Sequence, residues 1–379
     1  MNKKNLELIT KLRHELHKHP ELSCQETWTK AHLMEFLMEH TKLEIKDMGA
    51  WFYAVYRCGK EGAKVLGFRA DFDALPIGET CQVSYVSETA GQGHKCGHDG
   101  HSSMLAGLAL ELDQSGADCD VILIFQHGEE IGAGGLECSQ VIEKEHMEQV
   151  YAFHNLTGYP EGSVDLYYGA CQPASVGFTI LFEGKTSHAS QPQNGKNPAV
   201  AIAEIILYMN ELLKEEHKGI VLATLVHTEI GTKNFGISAG RGEVSMTLRA
   251  FYGEEMDELQ KKLCERAEEL AEREGLTVRF EETDRFPDTV NDEKCLDLVK
   301  SCAEKLGKQV VVMSDPFYAS EDFGYYLKKC PGAMIYLGNG EAYAALHTTE
   351  YDFNDHLLEA GVDLDLEIIR EASKAPSVR

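Results

Sequence analysis

Apolar residues recur at helical spacing in some segments of the chain and in strand-like runs in others. LELITKLRHELHKH, which stops at Pro20, and ETWTKAHLMEFLMEH predict two helices at the start. Strand-like runs (WFYAVYR, AKVLGFRA, DVILIFQH, MEQVYAFH) then alternate with helical ones such as HSSMLAGLALEL. DVILIFQH is apolar on both faces, which is typical of a central strand covered on both sides. The alternation predicts an α/β layered domain.

The pattern changes near Pro173. From SVGFTILFEG to LTVRFEE the predicted order is strand, helix, strand, strand, helix, strand, which is the split-βαβ order of one compact unit. After Phe286 the earlier alternation resumes, and it closes with a helix from Asn354 to about Ser373. We therefore predict a discontinuous α/β domain, residues 1–173 and 286–379, interrupted by an α+β insert at residues 174–285.

Charge and cysteine usage narrow the class of protein. The 379 residues carry a net charge of −26, which repels nucleic-acid phosphates and anionic lipid, so neither is expected as a partner. The chain has no run of about 18 apolar residues, so no membrane span is predicted. No apolar stretch follows MNKKNLELIT, so no signal peptide is predicted. The 11 cysteines are scattered and form no CxxC pair, which is typical of reduced thiols. We expect a soluble cytoplasmic protein.

The segment GHKCGHDGH concentrates groups that bind transition metals. It holds His94, Cys96, His98, Asp99 and His101 between a turn-rich stretch and a helix. The alternate spacing of Cys96 and His98 lets an extended loop aim both side chains the same way. A bland alternative is a polar loop that caps the next helix, with Asp99 as the N-cap. The pattern favours a metal site over the cap.

Further polar side chains follow the predicted strands. Glu129 and Glu130 come after DVILIFQH, His154 ends VYAFH, and Asp71 ends LGFRAD. Each alone is more typical of an exposed or hydrogen-bonded group than of a ligand. Sites in open α/β sheets gather at the carboxyl ends of strands. Together with Cys96, these residues therefore predict one shared metal centre.

Six motifs, in order, carry a resemblance to a known family: RADFDALPIGE, HKCGHDGHSSMLAG, EEIGAGG, TSHAS, SEDFGYY and LHTTEYDFND. They resemble the aminoacylase/carboxypeptidase clan of dinuclear metallohydrolases, in the amidohydrolase branch that includes hippurate hydrolase and the indoleacetyl-amino-acid hydrolases. The resemblance covers essentially the whole chain. It implies an α/β catalytic domain that binds two divalent transition-metal ions (Zn, Mn, Co or Ni), with an inserted ferredoxin-like lid through which a homodimer forms.

The resemblance also implies roles for individual residues. It implies five metal ligands: Cys96, His98, Glu130, His154 and His347. Glu129 would be the general base, and Asp73 would orient a histidine ligand. His188 in the lid would reach the scissile carbonyl, in the neighbouring subunit's site. Asn234 and Arg249 would help to bind the substrate.

The predicted reaction is hydrolysis of the amide bond of an N-acyl amino acid or a similar small amide, by metal-activated water with Glu129 as base. An exopeptidase or dipeptidase acting on the same site is one alternative. Others are a hydrolase with Cys96 as nucleophile and His98 or His154 as its base, and a binding protein that has kept the fold. Three segments depart from the residues usual in the family: Gln126-His127-Gly128, Thr186–Ser190 and Asn234–Ile237. The acyl group, the amino acid and the native metal therefore stay open.

Overall fold

The computed structural model describes residues 1–374, which divide into two compact units. The first, called the α/β unit, comprises Met1–Cys171, Thr289–Phe317 and the chain from Asp322 onward. The second, called the α+β unit, comprises Gln172–Asp288 and Tyr318–Glu321. The sequence had assigned Tyr318–Glu321 to the other domain. This segment contacts the α+β unit through Arg249, whose guanidinium donates to the Tyr318 carbonyl oxygen and the Ser320 hydroxyl. Residues 375–379 of the predicted 286–379 segment lie outside the described residues.

The strands are, in chain order, β1 (Glu44–Asp47), β2 (Phe52–Tyr56), β3 (Val65–Asp71), β4 (Asp120–Gln126), β5 (Gln149–Thr157), β6 (Val164–Leu166), β7 (Ala170–Gln172), β8 (Ala174–Glu183), β9 (Ser187–His188), β10 (Val221–Ile230), β11 (Ile237–Ser238), β12 (Arg241–Ala250), β13 (Thr277–Phe286), β14 (Thr289–Val290), β15 (Val310–Val312) and β16 (Gly332–Gly340). The helices are α1 (Lys3–Lys18), α2 (Thr27–His40), α3 (His98–Ser115), α4 (Gly134–Cys138), α5 (Val141–Glu145), α6 (Ala199–Leu212), α7 (Gly253–Glu274), α8 (Glu293–Lys305), α9 (Gly324–Leu327) and α10 (His356–Ala372). No helix among residues 1–374 is both long enough and apolar enough to cross a membrane.

The α/β unit is built on an eight-stranded sheet in the order β1-β2-β4-β3-β5-β16-β6-β15. Successive residues of β4 point to opposite faces, so Val121, Leu123 and Phe125 pack with α1, α2, α3, α8 and α10. Ile122 and Ile124 pack on the other side with α4, α5 and α9. Both faces of the strand are therefore buried, as its continuous apolar run predicts, and the α/β fold class is confirmed.

The α+β unit has a four-stranded antiparallel sheet in the order β13-β8-β12-β10, with α6 and α7 on one face. Numbered within the unit, the strand order is 4-1-3-2, the arrangement that the split-βαβ sequence order produces. Val176, Phe178, Ile180 and Phe182 alternate along β8 and face the two helices. The unit therefore has a hydrophobic core of its own.

Candidate metal centre

Three parallel pairings in the central sheet bring the candidate residues to one edge. β4, β3, β5 and β16 are neighbours and all run parallel. Asp73 follows β3, Glu129 follows β4 and His347 follows β16, so all three come after the carboxyl end of a strand. His154 was predicted to end its strand, but β5 continues to Thr157 and His154 lies inside it. Its backbone is therefore held by the ladder with β16.

The CGHDGH segment begins α3. Gly97 has a φ of 101°, a left-handed conformation that glycine adopts at little cost, and α3 starts at the next residue, His98. Asp99 does not cap this helix, because the N-cap is Gly97 and no side chain caps it among the described residues. Asp99 is instead buried against Arg13 and His17, at 3.0 and 2.7 Å. The capping alternative is therefore wrong.

The five predicted ligands converge. Cys96 Sγ lies 3.4 Å from His154 Nε2 and 3.4 Å from His347 Nε2. Glu130 Oε2 lies 3.5 Å from His347 Nε2, and Glu130 Oε1 lies 3.7 Å from His98 Nε2. Two groups of three donors thus share the Cys96 thiol, one with His98 and His154 and the other with Glu130 and His347. In each group the donor atoms all lie within 4.8 Å of one another.

The histidine rings are oriented by bonds on their far side. His98 Nδ1 lies 3.1 Å from Asp73 Oδ1, and His154 Nδ1 lies 2.9 Å from the Asn155 carbonyl oxygen. An N–H donated through Nδ1 leaves Nε2 as the atom that faces the other donors. Burial opposes ionisation of Asp73, but His98, the Glu130 N–H and the Ser23 hydroxyl outweigh it and lower the pKa of this carboxyl. Asp73 is therefore an ionised acceptor for the His98 ring.

The donor set fits divalent transition metals. His98 Nε2 and Glu130 Oε1 are buried and have no hydrogen-bond partner within residues 1–374. Burial, together with His101, lowers the pKa of His154 well below its usual value, so this ring is the neutral imidazole that a metal binds. A thiol, three imidazoles and a carboxylate are ligands that Zn, Mn, Co and Ni accept. Buried donors without partners of their own are what an ion at this position would satisfy.

Cys96 is not poised as a nucleophile in this environment. Burial first, then the Glu130 and Glu129 carboxylates, raise the pKa of the Cys96 thiol well above its usual value. A catalytic thiol needs the opposite, an electropositive setting that lowers its pKa. Two carboxylates beside a thiol suit a site whose charge is balanced by cations.

Glu129 lies beside the donors on a short turn. Gly128, with a φ of 60°, leads from β4 into a single 3₁₀ turn over Glu129–Ile131. Glu129 is buried, and its Oε2 lies 3.8 Å from His98 Nε2. Glu130, the next residue, points its carboxylate at His347 and His98. Adjacent carboxylates therefore reach the same site in different positions.

The other three predicted site residues belong to the α+β unit. His188 is exposed on β9, which pairs with β11, and its Nδ1 lies 2.7 Å from Ser190 Oγ. Asn234 precedes β11 and accepts a hydrogen bond from the Gly236 N–H. Arg249 lies on β12 and donates to Tyr318 O and Ser320 Oγ.

The structure adds residues that sequence reasoning passed over. His17 is fully buried between Asp99 and Glu79. Glu79 also pairs with the buried Lys95 ammonium, one position before Cys96. Sequence separation hid this network, because His17 and Asp99 are 82 positions apart. The HELHKHP segment was the available signal, since two charged residues and three histidines on or next to one helix need buried or solvent partners.

A model of the peptidase family M20/M25/M40 matches residues 67–371. The chain belongs to this family. It is 29% identical to the N-acetylcysteine deacetylase of Bacillus subtilis (strain 168), over 87% of this chain and 88% of that protein. It is also 29% identical to the hippurate hydrolase of Campylobacter jejuni subsp. jejuni serotype O:2, over 92% of each chain. Among solved structures of the M20 family it is similar to Bacillus subtilis YXEP, described as a dinuclear metal-binding peptidase, with a TM-score of 0.82, 26% identity and coverage of 98% and 99%.

Proposed function

We propose that this M20 chain hydrolyses the amide bond of an N-acyl amino acid, with two divalent transition-metal ions and with Glu129 as general base. The observation that carries the proposal is the convergence of Cys96, His98, Glu130, His154 and His347 beside Glu129. Relatives named as an N-acetylcysteine deacetylase and a hippurate hydrolase support the substrate class. In this proposal His98 and His154 would hold one ion, and Glu130 and His347 would hold the other. Cys96 belongs to both groups of donors.

The chemistry at the site divides between the ions and the protein. When bound, the ions would lower the pKa of a coordinated water and polarise the scissile carbonyl. Glu129 accepts the proton of the attacking water and later delivers it to the departing amine nitrogen. Asp73 holds the His98 ring by its Nδ1–H, so that Nε2 stays directed at the donors.

The α+β unit is proposed to be the lid and dimerisation domain, which the sequence places at residues 174–285. In this proposal His188 donates a hydrogen bond to the scissile carbonyl in the site of the neighbouring subunit. Its Ser190 contact through Nδ1 leaves Nε2 for the substrate. Asn234 and Arg249 help to bind the substrate, and the bonds from Arg249 to Tyr318 and Ser320 fix part of that guanidinium in place.

A homodimer is proposed to form by pairing of β10 with β10 of a second copy. β10 is an edge strand, and almost all of its residues are exposed. Leu225 and Val226 are exposed apolar residues of this strand, and Phe235 and Ile237 are exposed just after it. Unpaired backbone groups with exposed apolar side chains favour addition of another strand.

We further propose that the protein is cytoplasmic and that its two ions are drawn from zinc, manganese, cobalt and nickel. The scattered thiols support a reducing compartment. The mixture of thiolate, imidazole and carboxylate ligands suits all four ions, and metal supply decides among them.

The decisive experiment measures metal content and hydrolysis together. A panel of N-acetyl, N-benzoyl and N-succinyl amino acids, with dipeptides beside them, would be tested with and without chelator. We expect deacylation that chelator abolishes and that added Zn²⁺ or Mn²⁺ restores. Glu129→Gln should bind metal as the wild type does and lose about 10³-fold or more in kcat, because its amide cannot accept the proton.

Two outcomes would contradict the proposal. Activity that survives complete removal of metal would move the chemistry to Cys96. Hydrolysis of dipeptides with no cleavage of any N-acyl amino acid would replace the deacylase by a dipeptidase on the same site.

A further inference from the structure

A short segment after α1, residues Ser23–Glu26, contacts the turn that carries the two adjacent glutamates. We call this segment the brace. Glu26 Oε1 accepts a hydrogen bond from the Gly128 N–H at 2.7 Å. Ser23 Oγ donates to Asp73 Oδ2 at 2.7 Å, and the same carboxylate oxygen accepts the Glu130 N–H at 3.0 Å. Two backbone N–H groups of the turn are therefore held by carboxylates from elsewhere in the α/β unit.

Gly128 is the point at which the chain leaves β4. Its left-handed conformation begins the 3₁₀ turn, and its carbonyl accepts the N–H groups of Ala133 and Gly134 at 3.0 and 3.3 Å. The Gly128 N–H is the group that the turn does not use, and Glu26 binds it. A Cβ built on Gly128 would lie 3.1 Å from Cys24 Sγ, so the brace also packs directly on this residue.

Glu26 occupies a position that disfavours an acid. The residue is 6% exposed, and burial together with the Asp73 carboxylate raises its pKa to about 7. A buried carboxyl with a raised pKa reduces the stability of the fold at neutral pH. The described hydrogen bonds of Glu26 come from backbone N–H groups, those of Gly128, Cys24 and Glu26 itself, and none comes from the five donors. A buried acid that lowers stability and binds the Gly128 N–H is consistent with a role in holding the turn.

We propose that Glu26 is a positioning residue, which fixes the Gly128–Ile131 turn and thereby the placement of the Glu129 carboxylate. The inference rests on the proposed function for its kinetic consequence alone. Glu26 acts through the backbone N–H of Gly128, one residue before Glu129, and none of its described hydrogen bonds reaches the five donors. A shift of about 1 Å in a catalytic group costs on the order of 10²-fold in rate.

The test compares Glu26→Leu with Glu26→Gln, and uses Asp165→Leu as a matched control. Leu removes the acceptor for the Gly128 N–H, whereas the Gln amide oxygen retains it. Asp165 is likewise a buried carboxyl whose pKa is raised to about 7, but it lies on β6 and accepts its hydrogen bond from Ser163 Oγ. Three properties would be measured: amide hydrogen exchange of the peptide 128–134, metal content, and kcat and KM on the best N-acyl amino acid.

In Glu26→Leu we expect exchange of the peptide 128–134 to rise by about tenfold or more, because the turn loses a buried hydrogen bond. We expect kcat to fall by about 10–100-fold while KM changes by less than about threefold, with the metal content of the wild type. Glu26→Gln should keep exchange and kcat within about threefold of the wild type, since the acceptor remains. Asp165→Leu should leave exchange of this peptide and kcat unchanged.

Several results would overturn the inference. One is a Glu26→Leu variant whose exchange of the peptide 128–134 and whose kcat equal those of the wild type. Another is a Glu26→Gln variant that loses as much kcat as Glu26→Leu, which would mean that the charge matters and the acceptor does not. Loss of metal in Glu26→Leu, or the same fall of kcat in Asp165→Leu, would show that the effect is on the metal or on stability in general. If Glu26→Leu does not fold, the wild type decides: a peptide 128–134 that exchanges as fast as the exposed loop at residues 232–236 contradicts a fixed turn.

The exchange measurement separates this inference from the proposed function. A wild-type protein that cleaves no N-acyl amino acid would refute the proposed substrate class. Hydrogen exchange of the peptide 128–134 in the metal-free protein would still show whether Glu26 fixes the turn.

Discussion

At the scale of single residues, the site depends on which nitrogen of each imidazole faces inward. Asp73 binds Nδ1 of His98, and the Asn155 carbonyl binds Nδ1 of His154. These bonds orient both rings so that Nε2 faces the other donors. The donors are therefore arranged by their far-side partners as much as by the backbone.

Replacing Asp73 by Ala should weaken metal binding by about 10–100-fold, because the His98 ring loses the acceptor that orients it. Competition with a chromophoric chelator measures this affinity directly. Asp47→Ala is the control, since Asp47 is an exposed residue that pairs with Lys30, and it should leave the affinity unchanged. Wild-type affinity in Asp73→Ala would remove Asp73 from the orienting role.

Asp165 predicts a pH dependence of stability. Burial raises its pKa to about 7 from 3.8, and its Oδ2 has no hydrogen-bond partner in the described chain. The folded protein therefore binds the proton that the unfolded chain releases, so this group lowers the free energy of unfolding as the pH rises from about 4 to 7. The free energy of unfolding of Asp165→Asn, relative to that of the wild type, should therefore increase by about 1–3 kcal/mol when the pH is raised from 5 to 8.

Urea unfolding of both proteins at the two pH values measures this difference. A gain that is the same at pH 5 and pH 8 would contradict the assignment, because an uncharged effect does not follow the titration. A stability of the mutant that falls more steeply with pH than that of the wild type would contradict it as well.

At the scale of elements, the long helices and strands follow from periodicity and the short ones do not. β4 and α7 have 7 and 22 residues, enough for their patterns to be read. β9 and β11 have two residues each and exist because they pair with each other. The 3₁₀ turn over Glu129–Ile131 is likewise too short for any pattern and is set by Gly128 and its tertiary contacts.

Gly134, the first residue of α4, allows the close return of the chain after this turn. A Cβ there would lie 1.8 Å from the His127 carbonyl oxygen, which is backbone and has no rotamer to change. Gly134→Ala should therefore lower the free energy of unfolding by about 2 kcal/mol or more, and should reduce activity with it.

Gly78→Ala is the matched control for this change. A Cβ on Gly78 has its nearest neighbour at 3.8 Å, an ordinary contact, and the substitution should stay within about 0.5 kcal/mol of the wild type. Chemical denaturation compares the two variants. Equal stability of Gly134→Ala and Gly78→Ala would show that the turn can relax and that the close approach is not needed.

At the scale of the whole molecule, the proposed homodimer depends on β10. Val226 is 65% exposed in the middle of this edge strand. Val226→Asp places a charge where the second strand would pack, so the protein should elute as a monomer in size-exclusion chromatography with light scattering. If His188 acts in the neighbouring subunit's site, kcat should fall by about 10²-fold or more with the loss of the dimer.

Met38→Asp is the control, because Met38 is 62% exposed on α2 in the other unit. It should keep both the dimer and the activity. A wild type that is monomeric and fully active would contradict the dimer and the cross-subunit role of His188 together.

The order of the long helices and strands, the chemical types of the candidate donors and the family follow from the sequence alone. These follow from local periodicity and from motifs a few residues long, such as CGHDGH. Only the tertiary structure determines contacts between residues that are distant in sequence. Asp99 pairs with Arg13 and does not cap α3, and Glu26 accepts the N–H of Gly128, 102 positions away. Such partners are selected because a buried polar group must be paired, and the fold alone determines which groups are close enough to pair.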